Sequence, residues 1–364
     1  MALSRINANS ITDDSITVDQ IADTAVNGRR NLVINGAMQV VQRGTSAVTT
    51  NGSFPVDRWK AGSNASDFSA QQSTTVPSGE GFKYSISISP SSTKSPGSGT
   101  YFAISHNVEG NSIYMLDWGT SGAKQATLSF WVRSSKTGTY SVGTKNAGAT
   151  RAIVNEYTIS SADTWEHKTI TIPGVTDGSW PIDNTRGLTL DFWLAGNNAA
   201  TSTIGSWLSA NANMSSNQVN FFDSTSNNFY LTGVQLEVGN KDAPFEHRSF
   251  GEELALCQRY FQRLQDPTLR GAFSGQLNGG ASRLAIPTYT KLRANPTISM
   301  SGTFNFWNGG DVYTGSSASG TFAAPDGYEI DITINTTTNL TKGMAAVSYT
   351  TNSTTKIIDL DAEL

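Results

Sequence analysis

Four of the 29 acidic residues in this sequence are candidates for acid–base chemistry. Hydrolysis of a glycosidic bond needs two carboxyl groups that the fold brings together, and Asp177, Asp183, Asp191 and Glu237 could supply them. The positions of these four residues in the sequence do not indicate that any two of them lie close together in the fold. A glycan-cleaving enzyme therefore stays open as an alternative, but the sequence does not predict one.

The other residue types that catalyse reactions or bind metals are few and scattered. His106, His167 and His247 lie far apart, without the spacing of a metal motif such as HExxH. Cys257 is the only cysteine, which excludes an intrachain disulfide and a cysteine-based metal cluster. Nucleophile-elbow, Walker and Rossmann signatures are absent. We therefore predict a protein that is not an enzyme, with no catalytic residue, no metal ion and no cofactor.

Aromatic side chains in loops indicate ligand binding instead. Aromatic rings stack on the apolar faces of sugar rings, while amides and hydroxyls bind sugar hydroxyls. Trp118, Trp180 and Trp207 fall in stretches rich in Gly, Ser, Asn or Pro, so they could form a platform for a glycan. Trp307 and Tyr313 flank a Gly- and Ser-rich stretch nearer the carboxyl terminus and are an alternative glycan site.

The remaining tryptophans are better explained by packing. Trp131 and Trp193 lie inside predicted strands, and Trp59 and Trp165 lie at predicted strand starts. At these positions packing in a core or an interface is favoured over contact with a ligand. For the three loop tryptophans, packing and ligand binding remain about equally supported.

The charge balance excludes some classes of partner. The 364 residues include 25 basic and 29 acidic side chains, and only 15% of residues are charged, against about 25% in ordinary soluble domains. The polar surface must therefore be built from hydroxyl and amide groups. Without a basic run, binding to nucleic acid is not expected. The sequence also has neither a signal-peptide layout nor an apolar run of about 20 residues, so we expect no membrane insertion.

Residues 1–30 differ from the rest of the chain. Apolar β-branched residues recur there at intervals of five, a period that fits neither one amphipathic helix nor one strand. The segment is too short and too polar to bury these side chains by itself. We therefore predict an attachment and oligomerisation segment that packs on identical chains or on a docking partner; the alternative is a disordered tail. The recurring residues are Ile6, Ile11, Ile16, Ile21 and Val26.

Residues 31–250 have the pattern of an all-β domain. Lys83–Ser89 and Thr169–Ile172 alternate apolar and polar residues, and Thr127–Val132 and Leu188–Leu194 are rich in β-branched and aromatic residues. Gly, Pro, Asn and Asp cluster between these segments. Many short strands separated by turns predict an antiparallel jelly-roll sandwich.

A linker helix is predicted over 251–266. Leu254, Cys257, Phe261 and Leu264 follow one another at spacings of three, four and three, as the apolar face of a helix requires. Cys257 is therefore expected to be a buried, inert side chain. Strand patterns return in 267–364, where we predict a smaller carboxyl-terminal β-sandwich as a distal domain.

Several strings resemble a family of bacteriophage tail fibres and receptor-binding appendages. They match the opening and the closing strand of the jelly-roll module in these proteins, together with the helix that follows it. They are Asn31–Gly36 (NLVING), Gln42–Gly44 (QRG), Val56–Trp59 (VDRW), Val234–Gly239 (VQLEVG), Ala243–Arg248 (APFEHR) and Glu253–Tyr260 (ELALCQRY).

Elementary chemistry assigns structural roles to these strings. Asp57 beside Arg58 could fix the end of a strand through a charge-assisted hydrogen bond, and Arg248 could do the same with Glu246. Gln235 and Glu237 lie on the opposite face of their strand from its apolar residues. We expect these two side chains to be polar surface or contacts between subunits.

The resemblance implies a virion appendage, commonly trimeric, with a carbohydrate-binding-like sandwich. On this basis we predict a phage virion structural protein, a tail fibre or receptor-binding appendage, that attaches through residues 1–30 to another virion protein and adheres to a host-surface glycan. The alternatives are a head fibre or decoration protein without a ligand, and a glycan depolymerase. The host, the glycan and the position on the particle are left open.

Overall fold

The predicted all-β class is confirmed in a computed structural model. The structure describes residues 29–64, 67–97, 101–265, 273–276, 281–302, 304–307, 312–322, 329–336, 346–349 and 357–364. Strands dominate these ranges, and the strands of both five-stranded sheets pair in antiparallel fashion.

Twelve strands and one short helix precede residue 240. They are β1 (Trp59–Ser63), β2 (Phe68–Ser73), β3 (Ser85–Pro90), β4 (Tyr101–Glu109), α1 (Gly110–Ile113), β5 (Ala126–Ser134), β6 (Gly138–Asn146), β7 (Ala152–Ile159), β8 (Glu166–Ile172), β9 (Arg186–Gly196), β10 (Ala200–Thr201), β11 (Met214–Ser215) and β12 (Phe229–Val238). Two single turns of 3-10 helix lie at Tyr114–Leu116 and Phe221–Asp223.

One helix and nine strands follow. They are α2 (Phe250–Gln258), β13 (Phe261–Gln265), β14 (Phe273–Gln276), β15 (Ala281–Pro287), β16 (Thr297–Ser301), β17 (Phe304–Trp307), β18 (Val312–Phe322), β19 (Glu329–Thr336), β20 (Ala346–Tyr349) and β21 (Ile357–Asp361).

Two five-stranded sheets face each other in the sandwich. The first has the strand order β1-β4-β9-β6-β7 and the second β2-β3-β12-β5-β8. Their order is not sequential, because consecutive strands cross between the sheets as in a jelly roll. The core lies between the sheets, where Phe130 of β5 meets Phe192 of β9 with ring centroids 5.1 Å apart.

The period of two along each strand decides which side chains enter this core. In β9, Leu188, Leu190, Phe192 and Leu194 are fully buried between the sheets. The side chains between them therefore project from the outer face of the first sheet. The alternation in β9 therefore places a set of non-core side chains together on the outer face of the first sheet.

A β-bulge in β12 shifts the alternation by one residue. Its pairing register with β5 changes between Thr232 and Gln235, and Gly233 has a φ of +62°. Leu231 enters the core before the bulge, and Val234 enters it afterwards. The bulge thereby turns Gln235 and the residues that follow it into a new orientation.

Five polar residues from the phage-like strings form one hydrogen-bonded cluster, which we call the clasp: Asn31, Gln235, Glu237, Glu246 and Arg248. Asn31 Nδ2 donates to the carbonyl oxygen of Val234 at 3.0 Å, and Gln235 Nε2 donates to Glu237 Oε1 at 3.0 Å. Arg248 Nε donates to Glu246 Oε1 at 3.0 Å, the pairing expected from the sequence.

The expected exposure of two clasp residues is wrong. Gln235 is fully buried and Glu237 is 4% exposed. Both face away from the apolar core, as expected, but the segment after Gly239 folds over them. Burial is tolerated because backbone groups of that segment satisfy their polar atoms; the Ala243 N–H donates to Glu237 Oε1 at 2.8 Å, and the Glu246 N–H donates to Gln235 Oε1 at 2.8 Å.

The predicted linker helix is shorter than expected. Helix α2 ends at Gln258, and Phe261–Gln265 instead form strand β13, paired antiparallel with β21. Phe261 and Leu264 are buried as predicted, but from a strand. A spacing of three places two side chains on one face of a helix but on opposite faces of a strand. The local pattern therefore favours a helix, and pairing with β21 overrides it. In the described part of the chain, no helix is long and apolar enough to span a bilayer.

The smaller carboxyl-terminal region is all-β, but its form differs from the predicted sandwich. Strands β14, β15, β19, β18, β17 and β20 close into a barrel in that order. Closure pairs the edge strands that an open sheet would leave exposed. Strands β13, β21 and β16 form a separate three-stranded sheet.

This three-stranded sheet is joined to the sandwich by buried charges. The Arg58 guanidinium is 2% exposed, lies 3.5 Å above the Tyr260 ring and forms an ion pair with Glu363. Nearby, Asp57 is 1% exposed and accepts a hydrogen bond from the Gln42 N–H at 3.0 Å. Burial raises the pKa of Asp57 to about 6, although the Gln42 hydrogen bonds and the Arg43 charge act to lower it.

This raised pKa predicts a stability contribution that depends on pH. The folded protein binds the Asp57 proton more tightly than the unfolded chain, so the contribution is fully present below the ordinary pKa of 3.8 and is lost as the pH rises through about 6. Compared with Asp57→Asn, the wild-type protein should lose about 2 kcal/mol of unfolding free energy between pH 4.5 and 7.5. Denaturant titrations at both pH values measure this difference. An exposed control, Asp163→Asn, should show no such trend, and parallel curves for wild type and Asp57→Asn would contradict the assignment.

Candidate functional site

A groove of about 480 Å³ crosses the outer face of the first sheet, over β4 and β9. The loop that carries Asn51 borders it beside β1, where Asn51 Oδ1 accepts a hydrogen bond from the Ser63 N–H at 3.0 Å. Asn198, Asn211 and Asn213 border its other side. The groove is therefore an open cleft with a sheet as its floor.

The floor consists of the side chains that alternate with core residues. On β9 these are Thr189, Asp191 and Trp193, and on β4 they include Ser105 and Asn107. Thr189 Oγ1 donates to Asn107 Oδ1 at 2.8 Å, which links the two strands through their side chains as well as their backbones. The polar floor is thus fixed before any ligand arrives.

One carboxylate lies at the centre of the floor. Asp191 is 4% exposed; Ser105 Oγ donates to its Oδ1 at 2.5 Å, and Lys145 Nζ lies 2.7 Å from its Oδ2. Lys145 Nζ also donates to Asn213 Oδ1 at 3.2 Å. The charges of Asp191 and Lys145 therefore largely neutralise each other.

An aromatic pair lies at one end of the groove. The rings of Tyr101 and Trp193 meet edge to face with centroids 6.2 Å apart, and Tyr101 is the more exposed of the two. Gly143 gives room beside them, because a Cβ there would lie 2.5 Å from the Asn213 carbonyl oxygen and 3.2 Å from Trp193 Nε1. Tyr101 thus contributes a partly buried ring to the same groove as the asparagine amides.

The groove has a positive charge although the whole chain has a net charge of −4. Lys60, Lys145 and Arg186 line it together with the single carboxylate of Asp191. Among the described residues, neither Lys60 nor Arg186 has a carboxylate within ion-pairing distance. Arg186 Nη2 donates to the carbonyl oxygen of Ala147, a neutral acceptor. Two cations are therefore left to interact with a ligand.

The three loop tryptophans predicted as a sugar platform are brought together, but not as an open platform. Trp118, Trp180 and Trp207 pack edge to face with centroids 4.9 to 5.5 Å apart. Trp118 is 5% and Trp180 8% exposed, and all three indole N–H groups donate to backbone carbonyls. Their rings close one end of the core, because apolar area of that size is stabilised most by burial.

A cavity of about 440 Å³ adjoins these tryptophans. Its lining includes Trp118, Trp180 and the strongly exposed side chains of Tyr114 and Ile182. The rings at its base are held by the packing just described. This cavity presents few polar groups compared with the groove.

The other predicted binding and oligomerisation residues are only partly described. Trp307 lies in β17 opposite Val312, and Tyr313 lies in β18 opposite Phe306, so the two aromatic residues occupy neighbouring positions of one hairpin. The apolar repeat of residues 1–30 lies outside the described residues: Ile6, Ile11, Ile16, Ile21 and Val26.

The four candidate carboxylates are engaged in separate contacts. Asp177 forms an ion pair with Arg151, Asp183 accepts a hydrogen bond from the Thr185 N–H at 2.8 Å, and Glu237 belongs to the clasp. Asp191 alone among the described residues contributes a carboxylate to the lining of the groove.

The surroundings of the buried His106 and Cys257 do not favour their charged, reactive forms. Burial, together with the charge of Arg58, lowers the pKa of His106 well below its ordinary value, so the ring is neutral and packs against Trp59. Burial raises the pKa of the Cys257 thiol well above its ordinary value, as expected of an inert cysteine. Within the described residues, no group of three or more His, Cys, Asp or Glu could hold a metal ion.

Comparisons with known proteins give distant structural similarities. No family model and no curated protein matches the chain. The enzymatically active domain of tailspike protein 4 from bacteriophage CBA120 is 12% identical with a TM-score of 0.30, over 54% of this chain and 21% of that one. The module TmCBM61 in complex with beta-1,4-galactotriose is 11% identical with a TM-score of 0.31, over 58% and 100%.

A third similar structure is the family 11 carbohydrate-binding module of a Clostridium thermocellum cellulase. It is 15% identical with a TM-score of 0.25, over 55% of this chain and 98% of the module. This chain thus spans about a fifth of the tailspike chain and nearly all of each module. At TM-scores this low, the similarities do not assign a function.

Most residues of the groove were not predicted as ligand-binding residues. The sequence predicts packing for Trp193 and offers Asp191 only as a catalytic carboxylate, and it gives no signal for Tyr101 or the asparagines. The alternation in β9 does place Thr189, Asp191 and Trp193 together on the face opposite Leu190 and Phe192. That signal could have identified a polar patch containing a tryptophan.

The tryptophan cluster predicts a large effect on stability. Trp118→Ala removes a buried ring and leaves a cavity between Trp180 and Trp207, so the free energy of unfolding should fall by about 3 to 5 kcal/mol. Thermal or denaturant unfolding measures the loss. Tyr114→Ala, at an exposed position of the same end, should change stability by less than about 0.5 kcal/mol. Equal effects of the two substitutions would contradict the structural role of the cluster.

Proposed function

We propose that the groove over β4 and β9 binds an oligosaccharide. The observation that carries this proposal is the lining itself, to which the partly buried Tyr101 ring and five asparagines all contribute. An amide can donate to one sugar hydroxyl and accept from another, and an aromatic ring covers the apolar face of a pyranose. The five asparagines are Asn51, Asn107, Asn198, Asn211 and Asn213.

Rigidity of the lining favours such binding. Asn107 is held by Thr189, and Asn213 accepts from Lys145 while its Nδ2 donates to the Asn198 carbonyl oxygen at 3.2 Å. Groups held in place before binding lose little conformational entropy when the ligand arrives. A weakly binding saccharide can therefore be recognised without rearrangement of the sheet.

The charge of the groove favours an acidic saccharide over a neutral one. Lys60 and Arg186 have no carboxylate partner in the described part of the chain, and a ligand carboxylate would supply one. Asp191 does not oppose this attraction strongly, because Lys145 lies 2.7 Å from it. The proposed ligand class is thus an oligosaccharide with at least one anionic residue.

We also propose that the chain binds its glycan without cleaving it. Glycoside hydrolysis usually requires two carboxyl groups beside the scissile bond, and the described lining of the groove offers Asp191 alone. Incubation with bacterial envelope polysaccharide should therefore produce no new reducing ends. Their appearance would favour the depolymerase alternative.

The biological setting we propose is a phage virion appendage. Its support is the order and spacing of the phage-like strings and the apolar repeat of residues 1–30. In this proposal the amino-terminal segment attaches the chain to the particle and the sandwich contacts the host surface. Three copies would raise a weak affinity for a single site by orders of magnitude. A head fibre or decoration protein without a ligand is the second candidate, and failure of the purified protein to bind host cells would favour it.

Tyr101→Ala tests the groove as a glycan site. The wild-type protein should bind acidic members of an array of bacterial envelope saccharides, and loss of the stacked ring should weaken that binding about tenfold, or about 1.4 kcal/mol. Titration calorimetry with the best array ligand measures the change. The control Tyr114→Ala removes a tyrosine ring at an exposed position outside the groove, and this variant should bind the ligand like wild type.

The preference of the groove for an acidic ligand is tested with a second variant in the same titrations. Lys60→Gln should weaken binding of an acidic ligand and reduce its salt dependence, while binding of the methyl-esterified form of that ligand stays unchanged. Absence of any glycan binding would overturn the proposed function. Binding that is indifferent to Tyr101→Ala would remove the ligand from this groove.

The assembly is tested by native mass spectrometry of the full-length chain. We expect a species of three times 38.8 kDa, because the apolar residues of the repeat can be shared between copies. A variant that lacks residues 1–30 should be monomeric. A monomeric full-length protein would contradict the trimeric appendage.

A further inference from the structure

A second cavity, of about 530 Å³, lies on the outer face of the other sheet. Trp131 of β5 and His167 of β8 contribute to its lining, as do Phe82 and the segment from Asp242 to His247. We call it the acidic cavity. It is on the opposite side of the sandwich from the groove and shares no lining residue with it.

The β-bulge at Gly233 shapes this cavity. A Cβ at Gly233 would lie 2.6 Å from Phe82 Cζ and 3.1 Å from Trp131 Cδ1. Its φ of +62° is also a conformation that a side chain would strain. Glycine therefore allows two aromatic rings to approach the same point of β12.

Aromatic rings form much of the wall. Phe82 lies 5.0 Å from Phe245 and 5.2 Å from His247, measured between ring centroids. On the other side, Trp131 lies 5.1 Å from His167. The cavity thus brings two phenyl rings, one indole and two imidazoles to one place.

The clasp holds the remaining wall. Gln235 Nε2 donates to the Ala243 carbonyl oxygen at 3.1 Å, and Glu237 Oε1 accepts from the Ala243 N–H at 2.8 Å. Buried side chains of β12 thereby fix the segment that carries Asp242 and Phe245. The wall segment lies at the surface, but two buried polar residues hold its backbone in place.

The charge of the acidic cavity is opposite to that of the groove. Glu80 and Asp242 line it, and no lysine or arginine does so among the described residues. Asp242 Oδ2 accepts from Thr169 Oγ1 at 3.0 Å and lies 3.8 Å from His167 Nδ1. One carboxylate is therefore positioned next to the imidazole that packs against Trp131.

We infer that the acidic cavity binds an organic ammonium group. Faces of aromatic rings attract cations, and a carboxylate adds a direct electrostatic partner. An anionic ligand would meet Glu80 and Asp242 without a compensating cation. The volume of about 530 Å³ is within the usual range of small-molecule sites and exceeds what an ammonium headgroup needs.

Choline and its neutral isostere 3,3-dimethyl-1-butanol test the inference, since they differ in charge and hardly in shape. Each compound is titrated into the full chain, and binding is followed by two-dimensional nuclear magnetic resonance of the tryptophan indole N–H groups. The dissociation constant obtained from the shift of the Trp131 signal should be at least tenfold lower for choline than for the isostere. Trp131→Phe assigns that signal. Phosphocholine, as a second probe, distinguishes an ammonium carried on a phosphate headgroup from a free one, and the two carboxylates should make it bind more weakly than choline.

Two variants separate the site from general attraction to an acidic protein. Asp242→Asn should weaken choline binding about tenfold, while Asp163→Asn, which removes the same charge at an exposed position outside the cavity, should leave it unchanged. Equal binding of choline and the isostere, or equal effects of the two variants, would overturn the inference. The groove variant Tyr101→Ala should bind choline normally, so failure here and failure of the glycan proposal are distinguishable.

Discussion

The need to satisfy buried polar groups is the constraint on which the sandwich depends. Gln235 has no exposed surface, and Glu237 has almost none. An unsatisfied polar group in such a place costs about 1 to 3 kcal/mol, and more if it is charged. The backbone of 242–248 therefore has to lie where it completes their hydrogen bonds. The start of the domain is bound in the same way, because the Asn31 side chain hydrogen-bonds to the backbone on both sides of Gln235.

The clasp joins three of the phage-like strings, NLVING, VQLEVG and APFEHR, through hydrogen bonds. Glu246 Oε2 accepts from the backbone N–H groups of Arg30 and Asn31, and Arg248 donates to the Asn31 carbonyl oxygen. Burial acts to raise the pKa of Glu246, but these backbone hydrogen bonds and the Arg248 charge hold it below its ordinary value. The strings that contain Asn31, Gln235 and Glu246 supply hydrogen-bond partners to one another, so these three strings form one structural unit. Their chemistry is structural, as the sequence indicated for Arg248 and Glu246.

Much of the fold follows from the sequence, whereas the sites depend on packing that a sequence does not display. Alternation in Leu188–Leu194 predicts β9 and its buried face. It cannot reveal whether the opposite face is covered, because that depends on where residues 197–213 lie. The tryptophans show the converse: Gly-rich surroundings predict loops for Trp118 and Trp180, yet the loops fold inward. Phe261 and Leu264 were placed on a helix because their spacing suits it, and a strand from the end of the chain pairs with them instead.

That pairing connects the carboxyl-terminal sheet to the groove. Arg58 Nη2 donates to the Asn107 carbonyl oxygen, and Asn107 Nδ2 donates to the carbonyl oxygen of Leu364 at 2.7 Å. The same Asn107 accepts from Thr189 on the floor of the groove. Asn107 is thus held by β9 on one side and by the residues after β21 on the other. Because one amide serves both contacts, the orientation of its polar atoms in the groove depends on the docking of the carboxyl-terminal sheet, and the two parts of the molecule stabilise one arrangement of the floor.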